Sequence, residues 1–301
     1  MDEGVREALS QFGLAGRVAA LKESEDGNSS WLVEVAGSER VVLRRYHATA
    51  TRADVEYEHH VLGHAATAGW TVPERLTPLS EVQQRLYCVT RYVPGTARAV
   101  ESADERRQRG RDLARLHVAL RPATGEFGQR PGWRPLHTGV TVHESLDWDR
   151  CLGALCGLDR RLGEWAEAAA VATTAALDAA GAHDLPVTLI HGDFAEWNVH
   201  YDDRGDLAGV VDFGLAHVDS RPYELAMART YRAPEVIDAY RRELIEQGWP
   251  MTHLEEAAIP LLHRAFRVDM VAWEIDHGHR TGNIDLPMIE RQLARTGVEP
   301  P

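Results

Sequence analysis

Residues 187–215 read VTLIHGDFAEWNVHYDDRGDLAGVVDFGL, and this stretch decides the fold. Asp193 and Asp212 stand at the ends of two apolar, β-branched runs, and Asn198 follows the first aspartate by five positions. Asp202-Asp203-Arg204-Gly205-Asp206 lies between β-branched runs, a setting that predicts a hairpin loop with Asn198 and Asp212 at its flanks. Phosphoryl transfer needs a base or orienter beside the acceptor hydroxyl, and hard oxygen ligands that hold Mg²⁺ against nucleotide phosphates. On that chemistry Asp193 is the catalytic candidate, with Asn198 and Asp212 as metal ligands.

Composition bounds the rest. The 301 residues are 44% apolar and 26% charged, enough for two lobes with cores of their own and not the profile of a disordered chain. The 46 acidic and 33 basic side chains leave a net charge of −13, which opposes binding to nucleic acid or an anionic membrane and favours a cationic partner. The acidic start MDEGVREALS has no basic or apolar leader, and no long uncharged apolar run follows, so a cytoplasmic location is expected. Cys88, Cys151 and Cys156 are too few for a disulfide framework or a zinc site, and are expected as buried thiols.

Residues 14–92 read as strands around one helix, and residues 1–93 as an N-terminal nucleotide-binding lobe. Residues 31–35 and 40–44 are separated by Ala-Gly-Ser-Glu, a hairpin signature. Ahead of them, Glu25-Asp26-Gly27-Asn28-Ser29-Ser30 is a small polar turn whose Gly27, Asn28, Ser29 and Ser30 could lay N–H groups and hydroxyls over phosphates. Arg44 is the candidate phosphate cation, paired with Glu58 on a helix beginning near Asp54. Side-chain alternation sends Arg44 and Arg45 to opposite faces, with Arg44 expected inward and Arg45 toward solvent. The strand LYCVTRYV runs into Pro94-Gly95, and the main chain of Arg91 and Val93 is the expected contact for a nucleobase.

Residues 94–301 then read as a mainly helical catalytic and substrate-binding lobe carrying the hairpin. Leu113, Leu116, His117 and Leu120 recur at helical spacing, with His117 expected as a packed core histidine. Acidic residues on the later helices include Asp269 and Glu274, which flank Trp273 and could receive an amine. Glu196, inside the 193–198 loop, is the carboxylate nearest in sequence to the expected acceptor.

His191-Gly192-Asp193, Asn198 and Asp212-Phe213-Gly214 match the kinase pattern H-R-D-x-x-x-x-N followed by D-F-G, with only the arginine missing. With VVLRRY at 41–46, VEYEHHVL at 55–62, VTRYVPG at 89–95, LARLHVAL at 113–120 and VVDFGLAHVDSRPYELA at 210–226, the chain resembles the aminoglycoside phosphotransferase and choline kinase-like family. That resemblance implies an α+β, two-lobed protein kinase-like fold. It also implies a kinase that uses ATP or GTP with Mg²⁺ and transfers the γ-phosphoryl to a hydroxyl of a small molecule, which the charge suggests is cationic. An aminoglycoside or other antibiotic, an amino alcohol and a sugar are all open as acceptors. Asp219 and Glu224 fill acidic positions of the family's last block, and Asp219 joins Glu196, Asp269 and Glu274 as a substrate candidate. Asp212-Phe213-Gly214 followed by Ala233-Pro234-Glu235 also resembles a protein-kinase activation segment. Against it, Ala195 stands where a lysine is expected, Arg44 where another is, and the loop at 25–30 has a single glycine. A protein kinase and a nucleotide-binding pseudokinase without turnover are the alternatives.

Overall fold

The computed structural model describes residues 3–14, 16–23, 27–35, 39–99, 102–227 and 233–301. Glu25 and Asp26 of the polar turn, residues 36–38 of the first hairpin loop, and Arg232 lie outside them. The chain forms two compact units, one of Met1–Ala99 with Glu196–Leu215 and one of Val100–Ala195 with Ala216–Pro301.

The first unit opens with helix α1 (Glu3–Gln11) and strands β1 (Gly16–Lys22), β2 (Ser29–Val35) and β3 (Glu39–Arg45). Helix α2 (Arg52–Thr67), β4 (Ser80–Val82), β5 (Arg85–Arg91) and the short β6 (Thr96–Ala97) follow. The antiparallel sheet has the order β1-β2-β3-β5-β4. Val5, Ala8 and Leu9 of α1, an i, i+3, i+4 stripe, pack on Trp31, Val33, Val41, Leu43 and Val89. On the opposite face Val55 of α2 packs on Tyr46 and Cys88. A capping box in which Thr51 and Asp54 exchange bonds fixes the start of α2, worth about 1 kcal/mol. Helix α1 was not expected from the sequence, because its stripe spans barely two turns.

The second unit begins with α3 (Ala103–Leu120), α4 (Thr124–Phe127), α5 (Trp148–Leu158), α6 (Arg160–Ala179) and β7 (Val187–Ile190). The chain then crosses to the first unit for β8 (Val199–Tyr201) and β9 (Leu207–Val210). It returns for β10 (His217–Ser220), α7 (Arg221–Met227), α8 (Pro234–Glu246), α9 (His253–Thr281) and α10 (Leu286–Ala294). Leu155, Leu162, Trp165, Val268, Ile275 and Ile289 form its main apolar cluster across α5, α6, α9 and α10. Gly110 lets α3 approach α8, since a Cβ there would run into the Val236 carbonyl. Cys88 and Cys151 are buried, but Cys156, expected inside, is exposed on α5.

The hairpin β8–β9 is present. Its loop closes on Asp202, whose carboxylate accepts the N–H groups of Arg204 and Asp206, each at 2.9 Å, while Gly205 takes φ +90°. β6 adds to β8, and the Val210 N–H donates to Thr71 at 3.0 Å, which ties the hairpin to the first unit. β7 pairs instead with β10, so the two apolar runs that lead to Asp193 and Asp212 belong to different sheets.

Candidate active site

In the first unit, strand alternation turns Arg44 to the α2 side of β3, where it is 7% exposed. Its guanidinium lies 3.1 Å from Glu58 and 3.2 Å from Asp212 Oδ1. Burial works against its charge, but the carboxylates of Glu58 and Asp212 more than offset this and hold it protonated. Arg45 does not face solvent as expected, because α1 covers the other face. Its guanidinium lies over Trp31 at 5.2 Å and donates to Ser29 Oγ at 3.2 Å. Arg44→Ala should remove the guanidinium paired with the buried Glu58, 2% exposed, and destabilise the chain by roughly 3–5 kcal/mol. Arg45→Ala should cost about 1 kcal/mol or less, the scale of a cation–π contact. Urea unfolding of the two variants checks the ranking.

Ser29 and Ser30, expected in the polar turn, are the first residues of β2, opposite Arg45 and Arg44. Ser29 is fully buried, and the Asn28 side chain accepts the His47 N–H at 3.0 Å. Ser29 and Ser30 thus lie in a strand rather than in the turn expected, because the strand begins two residues earlier than its apolar run. At the expected nucleobase contact, Arg91 spends its N–H on Glu74 at 2.8 Å, so a base contact by Arg91 would have to use its carbonyl. Val93 is buried, and its side chain occupies the space that Gly209 leaves empty.

The hairpin brings its two flanks together. Val211 donates to the Asn198 carbonyl at 2.9 Å, and Asp212 follows with φ +62°, a left-handed backbone that costs on the order of 1–3 kcal/mol and clusters at functional sites. A Cβ on Gly214 would stand 3.4 Å from Asp212 Oδ1 and 3.6 Å from Arg44 Nη2 and Asn28 Nδ2, so the glycine keeps a polar cradle open. Among the described residues no group of three or more His, Cys, Asp or Glu could hold a metal alone. Mg²⁺ in nucleotide sites takes one or two protein oxygens and completes its shell from phosphates and water. Asp212 beside that cradle, and Asn198 tied through its carbonyl to the residue before Asp212, are oxygen donors of the kind that ion takes. The sequence reading missed Lys22, whose Nζ lies 3.7 Å from Asp212 Oδ2.

In the second unit, Asp193 sits half-buried in the turn after β7, and Gly192 before it takes φ +82°. Its N–H donates to His191 Nδ1 at 3.1 Å, and Phe194 is buried edge-on to His191. One carboxylate holds this turn. Glu224, fully buried on α7, accepts the His191 N–H at 3.0 Å and the Phe194 N–H at 3.2 Å, while His117 Nε2 lies 2.8 Å from the same group. Burial pushes the Glu224 carboxyl up, but His117, His191 and the main-chain donors outweigh this and hold it below the usual carboxylate range. His117 is the core histidine expected, with Nδ1 on Tyr240 Oη at 2.7 Å. From its sequence context Glu224 is only an acidic family position, since nothing local reveals a partner 107 residues away.

Asp219 is fully buried and accepts the Leu136 N–H at 2.8 Å, with His217 Nε2 at 3.3 Å. Burial opposes its charge, yet His137 and His217 keep its carboxyl low. Asp269 is 7% exposed, accepts the Val142 N–H at 3.0 Å, and burial pushes its carboxyl up to about 7. Near neutrality it offers only part of a charge. Trp273 stacks on His277 at 4.8 Å rather than forming an aromatic box with Asp269 and Glu274. Glu274 is buried on α9, and Glu196 is half-buried in the loop after Asp193.

Residues 21–258 match the phosphotransferase enzyme family. The chain belongs to that family. It is 26% identical over 256 residues to a homoserine kinase of Xanthobacter autotrophicus, covering 79% of this chain and 73% of that protein. Over 267 residues it is 25% identical to a homoserine kinase of Caulobacter vibrioides, covering 83% of this chain and 79% of that protein. Its fold is similar to that of a thermostable aminoglycoside phosphotransferase APH(4)-Ia in ternary complex with ADP and hygromycin B, with a TM-score of 0.69, 18% identity and coverage of 97% and 96%. It is also similar to the amicoumacin kinase hAmiN in complex with AMP-PNP and Ca²⁺, with a TM-score of 0.68, 13% identity and coverage of 100% and 95%. The kinase-like fold expected from the sequence is thus present, and the chain is a small-molecule kinase that transfers phosphate to a hydroxyl. The match of Ala233-Pro234-Glu235 to an activation segment reduces to a helix start, with Pro234 first in α8 and Glu235 paired with Arg106 at 3.3 Å. No helix among the described residues is long and apolar enough to cross a membrane.

Proposed function

We propose that this phosphotransferase moves the γ-phosphoryl of ATP or GTP, as the Mg²⁺ complex, to the hydroxyl of a small amino alcohol. In this reading residues 1–93 serve as the nucleotide lobe and residues 94–301 as the catalytic lobe. Asp193 orients the hydroxyl and accepts its proton, Arg44 braced by Glu58 binds the phosphates, and the main chain of Arg91 and Val93 meets the base. Asn198 and Asp212 would hold the metal, which supplies charge neutralisation at the phosphates when bound. The observation that carries the reading is the Arg44–Glu58–Asp212 cluster at the end of the hairpin, a buried cation beside a strained aspartate.

For the acceptor, the burial of Asp219 and Asp269 is informative. With those two carboxylates engaged internally, the acceptor candidates outside that internal network are fewer, which suits one ammonium better than a polycation. Relatives named homoserine kinase also support an acceptor that joins one amine to a primary hydroxyl, although homoserine carries a carboxylate as well and is net neutral. A screen of homoserine, 1-amino-2-propanol, hygromycin B and kanamycin for acceptor-dependent ADP release tests this directly. Amino alcohols should be turned over with the higher kcat/KM, and their KM should rise with added salt, because exposed charges are screened over about 8 Å at physiological ionic strength. A preference for kanamycin or hygromycin B, or a KM unmoved by salt, would overturn the amino-alcohol assignment.

A further inference from the structure

We infer that Arg109 is a positioning residue for the catalytic turn, holding the ring of Phe194, the residue after Asp193, from α3. The inference rests on the phosphotransferase reading above, in which Asp193 orients the acceptor hydroxyl, and adds a residue that the reading does not contain.

Arg109, Leu113 and His117 recur at i, i+4 and i+8 and form one stripe of α3, with exposures of 2%, 1% and 0%. The two polar ends of that stripe, about 12 Å apart along the helix, both serve the turn. At the C-terminal end His117 reaches Glu224, which takes the main-chain N–H groups of His191 and Phe194. At the N-terminal end the Arg109 guanidinium lies over the Phe194 ring, 5.4 Å from its centroid. Phe194 is therefore held by its main chain from α7 and by its side chain from α3, with His191 edge-on to the same ring at 6.0 Å. The support is firm, because Gly110 lets α3 lie so close to α8 that even a Cβ there would meet the Val236 carbonyl.

Charge explains why the residue is an arginine. Burying a guanidinium carries a desolvation cost that a methionine or leucine filling the same space would not. The face of a phenyl ring is negative and attracts a cation, and a planar guanidinium can cover it in one fixed orientation. Asp112, also 2% exposed, stands three positions further along α3, the spacing at which helical side chains meet, so a buried carboxylate shares this part of the helix. The turn itself has Gly192, at φ +82°, where the H-R-D pattern has its arginine, and the cation comes from the neighbouring helix instead. A Phe194 ring released from that cation would let the adjacent Asp193 shift, and a displacement near 1 Å at a reacting group is worth roughly 10²-fold in rate.

The test compares wild type, Arg109→Met, Arg109→Lys, Phe194→Leu and the Arg109→Met/Phe194→Leu double variant by ADP release, nucleotide titration and melting temperature. The acceptor is whichever of homoserine, 1-amino-2-propanol, hygromycin B and kanamycin wild type turns over with the highest kcat/KM. Arg109→Met should lower kcat about tenfold or more while nucleotide affinity and acceptor KM hold within about twofold, since the contact serves the turn and neither ligand. Arg109→Lys, which returns a cation to the ring, should recover part of the rate. Phe194→Leu should lose a similar factor, and the double variant should fall no further than the slower single one, as expected of two groups that act as a unit. An arginine that only stabilises the fold would lower the melting temperature at unchanged kcat, or give losses that multiply in the double variant. Either of those results, or an Arg109→Lys no faster than Arg109→Met, would overturn the assignment. Should Arg109→Met not fold, the cycle of Arg109→Lys with Phe194→Leu makes the same comparison. Wild type that releases ADP with none of the four acceptors would instead remove the phosphotransferase reading, and the role of Arg109 with it.

Discussion

Asp193→Asn should lower kcat by two to four decades while leaving Mg·nucleotide affinity within about threefold. The rate loss is the range typical for removing a positioned general base. Asn matches the carboxylate in size, so the turn held by the main chain of His191 and Phe194 keeps its shape. The affinity should survive because the groups assigned to the phosphates, Arg44 and Glu58, are braced within the first unit without any contribution from Asp193. Acceptor-dependent ADP release measured beside nucleotide titration separates the two effects. A variant that keeps wild-type turnover would remove Asp193 from the chemistry. A variant that loses nucleotide binding in proportion would make Asp193 a binding residue and not the base.

What could be read from the sequence divides by the range of the interaction. The hairpin was legible because Asp202 and Gly205 act within five residues. Arg44 was legible from alternation alone, since one run of strand residues decides its face. Arg45 was misread because the covering helix, α1, lies some thirty residues earlier and shows only a short stripe. The face of Lys22 could not be read either: a single extra residue in β1 inverts it, and no residue type announces that shift. The burial of Asp219 and Asp269 was not legible for a different reason. Acidic side chains are rarely buried, and only tertiary structure supplies the Leu136 and Val142 donors that bring these two inside.

Glu224 carries the second large effect, through its hold on the turn that contains Asp193. It collects the N–H groups of His191 and Phe194 and the ring of His117 on one fully buried carboxylate. Glu224→Gln keeps the shape but turns an amide NH₂ toward one of those donors, orphaning it at a cost of about 1–3 kcal/mol. The turn then shifts, and a displacement near 1 Å at a reacting group is worth roughly 10²-fold in rate. The expected result is therefore a kcat lower by about two decades, a nucleotide affinity near that of wild type, and a reduced melting temperature. Glu224→Asp, shorter but still ionised, should recover part of the rate. The pH dependence of stability isolates the carboxylate. Its folded pKa lies below the ordinary 4.5, so its contribution is complete above that value and disappears as the pH falls through the folded pKa. The wild type should lose that increment on acidification and Glu224→Gln should not, leaving a shallower acid limb for the variant. If both proteins melt in parallel from pH 6 to pH 3, or if Glu224→Gln turns over at the wild-type rate, the carboxylate is not what positions Asp193.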